Sequence, residues 1–341
     1  MSRIEACKEY GTDTIQQVIR TQLDRMYCLA LKKADIPNVD KTVITGNTTM
    51  LHILEGLNPE TLGVTPFTVV SLFGTQSDYL DAYLPHCVSA YVGADLLCAA
   101  LASKMIENPA CSLLVDIGTN GEMCISENGE LTCCSVAAGP AFEGCGLSCG
   151  TPAIEGAITH VELKNNKPII STIGTTMTSI CGSGIISLIH VMLELELIDE
   201  TGKFTDEVCL DLGTLSDGKF YIQESDVYIT GEDISKVQLA KSAICAGIYT
   251  LLGVTSTSID SIDTLYICGG FGAHLDIPSA CGIGLIPNEF LDKVKVLGNA
   301  ALTGAVNIAL GTKEIAPIYK EVNLSNSPLF MDYYIDCMLF E

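Results

Sequence analysis

Hydrophobic positions along this chain switch between a helical and a strand-like spacing, which predicts helices interleaved with strands. From Thr12 to Ala34, Ile15, Val18, Ile19, Leu23, Met26 and Leu29/Ala30 recur at helical spacing, so this stretch reads as an amphipathic helix. Pro37 ends it. Lys41 to Thr45 reads as a short strand, followed by Gly46-Asn47-Thr48-Thr49 and a helix through Leu57 that Asn58-Pro59 breaks. Residues 60–90, with prolines at 66 and 85, read as irregular, and Ala94 to Ile106 as a second helix. Asn108-Pro109 marks a lobe boundary.

Directly after it, the apolar run Leu113-Leu114-Val115 enters Asp116, Gly118, Thr119, Asn120 and Gly121, and Met123 to Ser126 reads as the return strand of a hairpin. A glycine-rich loop spans Ala138 to Gly150. A hairpin is expected around Asn165-Asn166, pairing Ala157–Leu163 with Pro168–Ile173, and another at 219–229. Ile180-Cys-Gly-Ser-Gly184 opens a helix through Leu195, and Gly231-Glu-Asp-Ile234 caps a long helix to Leu252. The strand Leu265–Cys268 ends in Gly269-Gly270-Phe271-Gly272. Gly298-Asn299-Ala300 opens the helix Ala301 to Leu310, and a final strand and helix close the chain. Strand–Gly46-Asn47–helix echoes strand–Gly269-Gly270–turn–helix, but the echo is too short to establish duplication.

At 341 residues, two lobes are expected. The net charge of −23 argues against nucleic acid and anionic membranes, which need a basic footprint. It also means that a bound polyphosphate would need Mg²⁺ and a few lysines to offset its charge. Met1 to Tyr10 has no apolar stretch, so no leader is expected, and the longest candidate span, Val88 to Met105, is interrupted by Gly93, Asp95 and Ser103. No two of the sixteen cysteines have C-x-x-C spacing, which counts against a zinc ribbon, a ferredoxin-type cluster or a thioredoxin motif. Most lie in apolar runs and suit a reducing cytoplasm.

Asp116 at a strand end can hold Mg²⁺ directly or through water, and Gly118 and Gly121 can present backbone N–H groups to an anion. An ordinary hairpin with an Asx-type turn gives the same letters. Gly269-Gly270 could let a base or ribose lie on the backbone, or only make a tight turn. Lys241 could reach a nucleotide or be solvated. Asp95, in an apolar helix start, is costly unless paired, hydrated or metal-bound. Glu143 is a further candidate general base, and Cys181-Gly-Ser-Gly184 is either an anion site or a tight helix entry. No P-loop or nucleophile elbow occurs.

The order of these segments resembles the actin, sugar-kinase and heat-shock-chaperone ATPases. A finer resemblance is to the ATPase region of the reductive activators of corrinoid proteins. It rests on Gly46-Asn-Thr-Thr-Met-Leu-His52, Thr65-Pro-Phe67, Val92-Gly-Ala-Asp95, Asp116-Ile-Gly-Thr-Asn-Gly-Glu122 and Ala138-Gly-Pro-Ala-Phe-Glu-Gly144. Ile180-Cys-Gly-Ser-Gly184, Asp233 through Lys241, Gly269-Gly-Phe-Gly272 and Gly298-Asn-Ala-Ala301 extend it over nearly the whole chain.

That resemblance implies an α/β, two-lobed, actin-like (ribonuclease-H-like) ATPase fold. Residues 1–109 would be the first lobe. Residues 110–341 would be the second, including the closing helix 298–311 and the C-terminal tail. It implies ATP and Mg²⁺ as cofactors, a corrinoid protein as partner, and rescue of Co(II) to Co(I). Asp116 would manage Mg²⁺ or water, Gly118, Thr119, Asn120 and Gly121 would cradle phosphate, and Gly269, Gly270, Phe271 and Gly272 would face adenosine with Lys241 nearby. Asp95 and Glu143 would assist. Family members carry an N-terminal iron–sulfur domain and an earlier phosphate hairpin. Neither is seen here, so the first lobe is expected to be N-terminally incomplete, with no iron–sulfur cluster in this chain. A separate iron–sulfur donor, a homodimer through the exposed sheet edge, and weak or absent ATPase activity in isolation are then expected. A non-catalytic docking module and a small-molecule kinase are the alternatives.

Overall fold

In the computed structural model, the described residues are 2–223, 225–314 and 319–340. The chain begins with helices α1 (Ser2–Tyr10) and α2 (Thr12–Ala34), strand β1 (Thr42–Val43) and helix α3 (Thr48–Leu54). Strands β2 (Thr75–Gln76) and β3 (Ala82–Leu84), helix α4 (Ala94–Ser103), and strands β4 (Ser112–Ile117), β5 (Gly121–Glu127) and β6 (Glu130–Val136) follow. Next come β7 (Ala157–Lys164), β8 (Lys167–Thr172), β9 (Ser179–Ile180), α5 (Gly182–Glu194), β10 (Gly213–Ser216), β11 (Lys219–Ile222) and β12 (Tyr228–Thr230). The last elements are α6 (Gly231–Thr255), β13 (Thr264–Cys268), the short turn α7 (Gly269–Gly272), α8 (Ile277–Gly282), β14 (Val294–Gly298), α9 (Ala300–Ala309), β15 (Tyr319–Glu321) and α10 (Pro328–Asp336).

Two compact units divide these elements. The first holds residues 1–109, 126–133 and 299–321. Its small sheet has the order β1-β3-β2, with β1 parallel to β3 and β2 antiparallel to it. Leu51, Leu54 and Leu84 form a core that the half-buried Ile19 and Leu23 of α2 pack against. The periodicity of α2 is as expected, but none of its residues is fully buried. Its polar face has a task too: Gln16 and Arg20 donate to the Leu54 carbonyl at the end of α3, at 2.9 Å and 2.8 Å. The residue 60–90 region, irregular by sequence, supplies β2 and β3.

The closing helix packs across the boundary expected from the sequence. Expected with the second lobe, α9 groups with the first unit and packs on α4. Gly304 is what permits this, since a Cβ there would come within 2.7 Å of the Cys98 Cα. Backbone-level approach of that kind cannot be read from helical periodicity.

The second unit holds residues 110–125, 134–298 and 322–341. Its sheet runs β14-β13-β4-β5-β6, with β13 parallel to both β14 and β4. Strands β4 and β13 are buried almost throughout and read as continuous apolar runs for that reason. Helix α6 begins with a capping box, in which Thr230 and Asp233 each satisfy the other's backbone N–H. It lies over the sheet: a Cβ at Gly247 would come within 2.7 Å of Met123 Cε and 2.9 Å of Val136 Cγ1. By length and composition α6 could cross a bilayer, yet most of its apolar window is buried in this core. The β7–β8 hairpin turns at Asn165 and Asn166, both left-handed at φ 53° and 61°, the conformation that favours Asn in a two-residue loop.

Candidate nucleotide site

Strand register builds the site. In the parallel pair β4/β13, Asp116 stands opposite Cys268, so both strands end together and Gly269 emerges beside the Asp116 carboxylate. Gly269 has φ 95°, and a Cβ on it would strike that carboxylate and approach the Ile117 carbonyl oxygen to 2.6 Å. Only glycine fits here, both for its backbone and for its neighbours. Gly270 is the reverse case, since a Cβ there would meet nothing within 4 Å. Its backbone is open to a ligand.

The hairpin tip departs from the expected anion nest. Gly118 donates its N–H to the Asn120 carbonyl at 3.1 Å, so that group is used within the turn. Neither Gly118 nor Gly121 is left-handed. Gly121 is small because a Cβ would meet Val136 Cγ2 at 2.8 Å and the Ile244 side chain beneath α6. Thr119 and Asn120 are exposed at the tip.

The glycine-rich loop closes on this tip. Gly139 donates to the Thr119 carbonyl at 2.9 Å, and the Thr119 hydroxyl donates to Glu143 Oε1 at 2.6 Å. Glu143 therefore stands with the β4–β5 hairpin and holds its tip. The ring of Phe142 stacks on Phe271 at 5.1 Å and 12°, so one face of Phe271 is occupied and its turn is tied to the same loop. Gly182, at the start of α5, makes room for the pair: a Cβ would strike the Phe142 carbonyl and lie 2.9 Å from the Phe271 ring. Cys181-Gly-Ser-Gly184 is thus a tight entry, with Ser183 donating to the Thr159 carbonyl at 2.9 Å. The start of α6 holds the rest of the loop. Ser148 N–H donates to Asp233 Oδ1 at 2.8 Å, and Lys236 Nζ donates to the Gly146 carbonyl at 2.7 Å.

Lys241 is placed differently from both sequence readings. It is fully buried, not solvated, and its ammonium donates to the Leu339 carbonyl and lies 5.3 Å from the Phe340 ring centroid. With the tail so seated, that ammonium is not open to a ligand. Asp95 belongs to the first unit. It accepts from Leu96 N–H at 3.1 Å beside Gly93, whose absent Cβ would lie 2.5 Å from Asn47 Cα. Among the described residues, no three or more His, Cys, Asp and Glu side chains gather as for a metal cage. A separate cavity of about 240 Å³, lined by Leu197, Phe204, Asp206, Glu207 and Phe220 among others, shares none of these residues.

Sequence reasoning missed Phe142, Asp233 and Gly182 as site-builders. The Thr230-x-x-Asp233 spacing of a capping box was legible. The Phe142–Phe271 and Thr119–Glu143 pairings were not, because they join distant segments.

Comparison with known families adds the following. Residues 110–341 match the model described as the C-terminal domain of RACo, the ASKHA domain. The chain belongs to the RACo family. Residues 1–108 match the RACo middle region, so the two matched regions meet at Asn108-Pro109. The fold of the RACo-type chain is accordingly α/β and actin-like. It is 30% identical to the corrinoid activation enzyme RamQ of Eubacterium limosum, over 100% of this chain and 63% of RamQ. It is 24% identical to a Co(II) methylated amine-specific corrinoid protein reductase of Methanosarcina barkeri, over 98% of this chain and 68% of that protein. A solved reductive activator for a corrinoid, iron–sulfur protein superposes with TM-score 0.86 at 29% identity, over 99% of this chain and 59% of that one. The chain thus spans about 63% of RamQ and 59% of the solved activator.

Proposed function

We propose that this chain is the ATP-binding region of a reductive activator that restores Co(I) in a corrinoid protein of anaerobic methyl transfer. One observation carries the reading: Asp116 and Gly269 stand side by side at the ends of β4 and β13, with the Thr119–Glu143 tip beside them in the same unit. The residues fit a magnesium nucleotide. Asp116 would take Mg²⁺ directly or through water, as Mg²⁺ is usually held by one or two carboxylates plus phosphates. Gly118, Thr119, Asn120 and Gly121 would line the phosphates, and the open backbone at Gly270, with Gly269, Gly272 and the edge of Phe271, would lie along the adenosine. When bound, Mg²⁺ offsets the polyphosphate charge that this acidic chain would otherwise repel.

The chain's own groups orient and position. Glu143 holds the Thr119 hydroxyl, and Asp116 directs the metal or a water. In the overall reaction one electron passes to Co(II), giving Co(I), from a separate iron–sulfur donor. ATP contributes by making the corrinoid-binding form differ in stability between nucleotide states, which is the only way a ligand shifts such an equilibrium. Assembly as a homodimer and a reducing cytoplasmic setting complete the proposal. Most of the cysteines are buried, packed as small hydrophobes.

The test is calorimetric titration of Mg·ATP into the purified chain, with Asp116→Ala as control. Saturable binding that the substitution abolishes supports the reading. No binding by the folded native chain overturns it in favour of a docking module.

A further inference from the structure

We propose that Lys241 is a positioning residue: together with Gln238 and Ser242 it seats the C-terminal tail on α6, and this seating sets the glycine-rich loop of the nucleotide site. The inference rests on the nucleotide reading above for its functional readout, but its structural half stands alone.

Three consecutive carbonyls of the tail are received by α6. Ser242 Oγ lies 2.8 Å from the Cys337 carbonyl and 2.6 Å from the Gln238 carbonyl, which share its one proton, while Gln238 Nε2 donates to the Met338 carbonyl at 3.3 Å and Lys241 Nζ to the Leu339 carbonyl. Phe340 completes the seat, with its N–H donating to the Glu200 carbonyl at 2.8 Å and its ring facing Lys241. Gln238 also donates to the Thr201 carbonyl at 3.1 Å, so the tail and the segment after α5 are tied to one side chain. These contacts read backbone, not side chains, and so fix where the tail runs.

A buried ammonium makes the arrangement sensitive. Taking a lysine out of water is costly unless its protons are satisfied, so displacement of the tail would remove the Leu339 carbonyl and the Phe340 ring from the buried ammonium. The helix would be expected to shift or to admit water.

From this seat to the site the path is short and made of named contacts. About one to two helical turns from Lys241 toward its N-terminus, α6 grips the loop through Asp233 to Ser148 N–H and Lys236 to the Gly146 carbonyl. The loop crosses itself at backbone contact: a Cβ at Gly144 would lie 2.7 Å from the Thr151 carbonyl carbon, and one at Gly150 would lie 2.9 Å from the Gly144 carbonyl carbon. Movement at Ser148 would therefore be passed to residue 144 through this crossing as well as along the chain. Glu143 comes next, and it carries Thr119 of the phosphate hairpin. The sequence readings of Lys241, as a nucleotide contact or a solvated charge, both give way to an action through the loop.

The experiment has two arms. In the first, amide hydrogen exchange of residues 138–150 is compared in the nucleotide-free chain, Lys241→Met and Gln238→Leu/Ser242→Ala. We expect faster exchange across 144–150 in both variants, with circular dichroism unchanged. In the second arm, Mg·ATP is titrated into the same proteins, where coupling through a connected element predicts affinity reduced roughly 3- to 30-fold. A chain ending at Asp336 should show the same loss, and a synthetic peptide of the sequence Cys-Met-Leu-Phe-Glu added in trans should restore part of it. A merely structural role would not be rescued in this way. Unchanged exchange at 144–150 in both variants, with native chain and variants binding ATP alike, overturns the proposal. If native chain binds no ATP, the nucleotide reading fails, and the exchange arm alone decides whether the tail sets the loop.

Discussion

Both units place a glycine where a strand-end loop meets a neighbour at backbone distance, and they use it for different ends. In the first unit Gly93 presses on Gly46-Asn47, and the polar groups around it are consumed in caps and buried bonds: Asn47 caps α3, and Thr48 donates to the Ser89 carbonyl. In the second unit Gly269 presses on Asp116, while Thr119, Asn120 and Gly270 next to it stay exposed. Similar letters, strand then Gly-Asn or Gly-Gly then helix, give a packed joint in one case and an open polar cluster in the other. Close approach by itself therefore does not mark a site. What distinguishes the second case is close approach beside polar residues that the fold leaves exposed.

The sharpest way to break this comparison is Gly269→Ala. A non-glycine residue at that φ costs on the order of 1–3 kcal/mol, and the new Cβ must also displace Asp116, so Mg·ATP affinity should fall roughly 100-fold. Calorimetry on the folded variant decides it, and affinity within a few-fold of native would remove Gly269 from the site. The matching change in the first unit is Gly304→Ala, which forces α9 away from the Cys98 backbone. Overpacking of this kind costs about 1–3 kcal/mol, read as a lower denaturant midpoint, with nucleotide affinity of the folded protein unchanged. Loss of affinity there would mean that the glycines of the two units do not divide as argued.

Thr119→Val sharpens the second half of the comparison. It removes the hydroxyl that Glu143 accepts while keeping the shape. Because Thr119 and Glu143 are exposed, the bond is worth only ~1 kcal/mol, so affinity should drop about five-fold by calorimetry. Glu143→Gln keeps an acceptor and should drop it less. A larger loss in Glu143→Gln than in Thr119→Val would show that the charge of Glu143, and not its grip on Thr119, is what matters.

Much of this division was legible in the letters. The Asn165-Asn166 hairpin, the long α6 and the Asp116 strand end follow from period and turn chemistry, which are local. The seat of Lys241 was not, because its partners at Leu339 and Phe340 lie about a hundred residues away and offer a backbone carbonyl that any sequence would carry. The bond made by Gly118 was not legible for a related reason: glycine signals permission to turn, but that its N–H meets the Asn120 carbonyl is settled by the turn itself. The grouping of α9 with the first unit depends on Gly304 meeting a helix two hundred residues earlier.

His52 gives the smallest expected effect and the cleanest sign. It is fully buried in the first unit, edge-on to Phe73 at 5.2 Å. Ser71 N–H donates to its Nε2 at 3.3 Å, which makes that nitrogen the acceptor, so Nδ1 carries the proton given to the Thr48 carbonyl at 2.7 Å. The neutral ring is therefore fully used. Burial pushes its pKa below the ordinary 6.5, with the Thr48 bond opposing in part. A histidine whose folded pKa is depressed favours the native state above its unfolded pKa. That stability is lost as pH falls from about 6.5 through the lower folded value, because the unfolded chain takes up the proton first. His52→Asn keeps a donor near the Thr48 carbonyl and cannot titrate. Its denaturant midpoint should lie below the native one at pH 7.5, and the gap should narrow as pH is lowered toward 5. A gap that stays constant would mean that His52 takes up its proton equally in the folded and unfolded chain, and that the first unit's polar joint owes its stability to shape and not to the state of this ring.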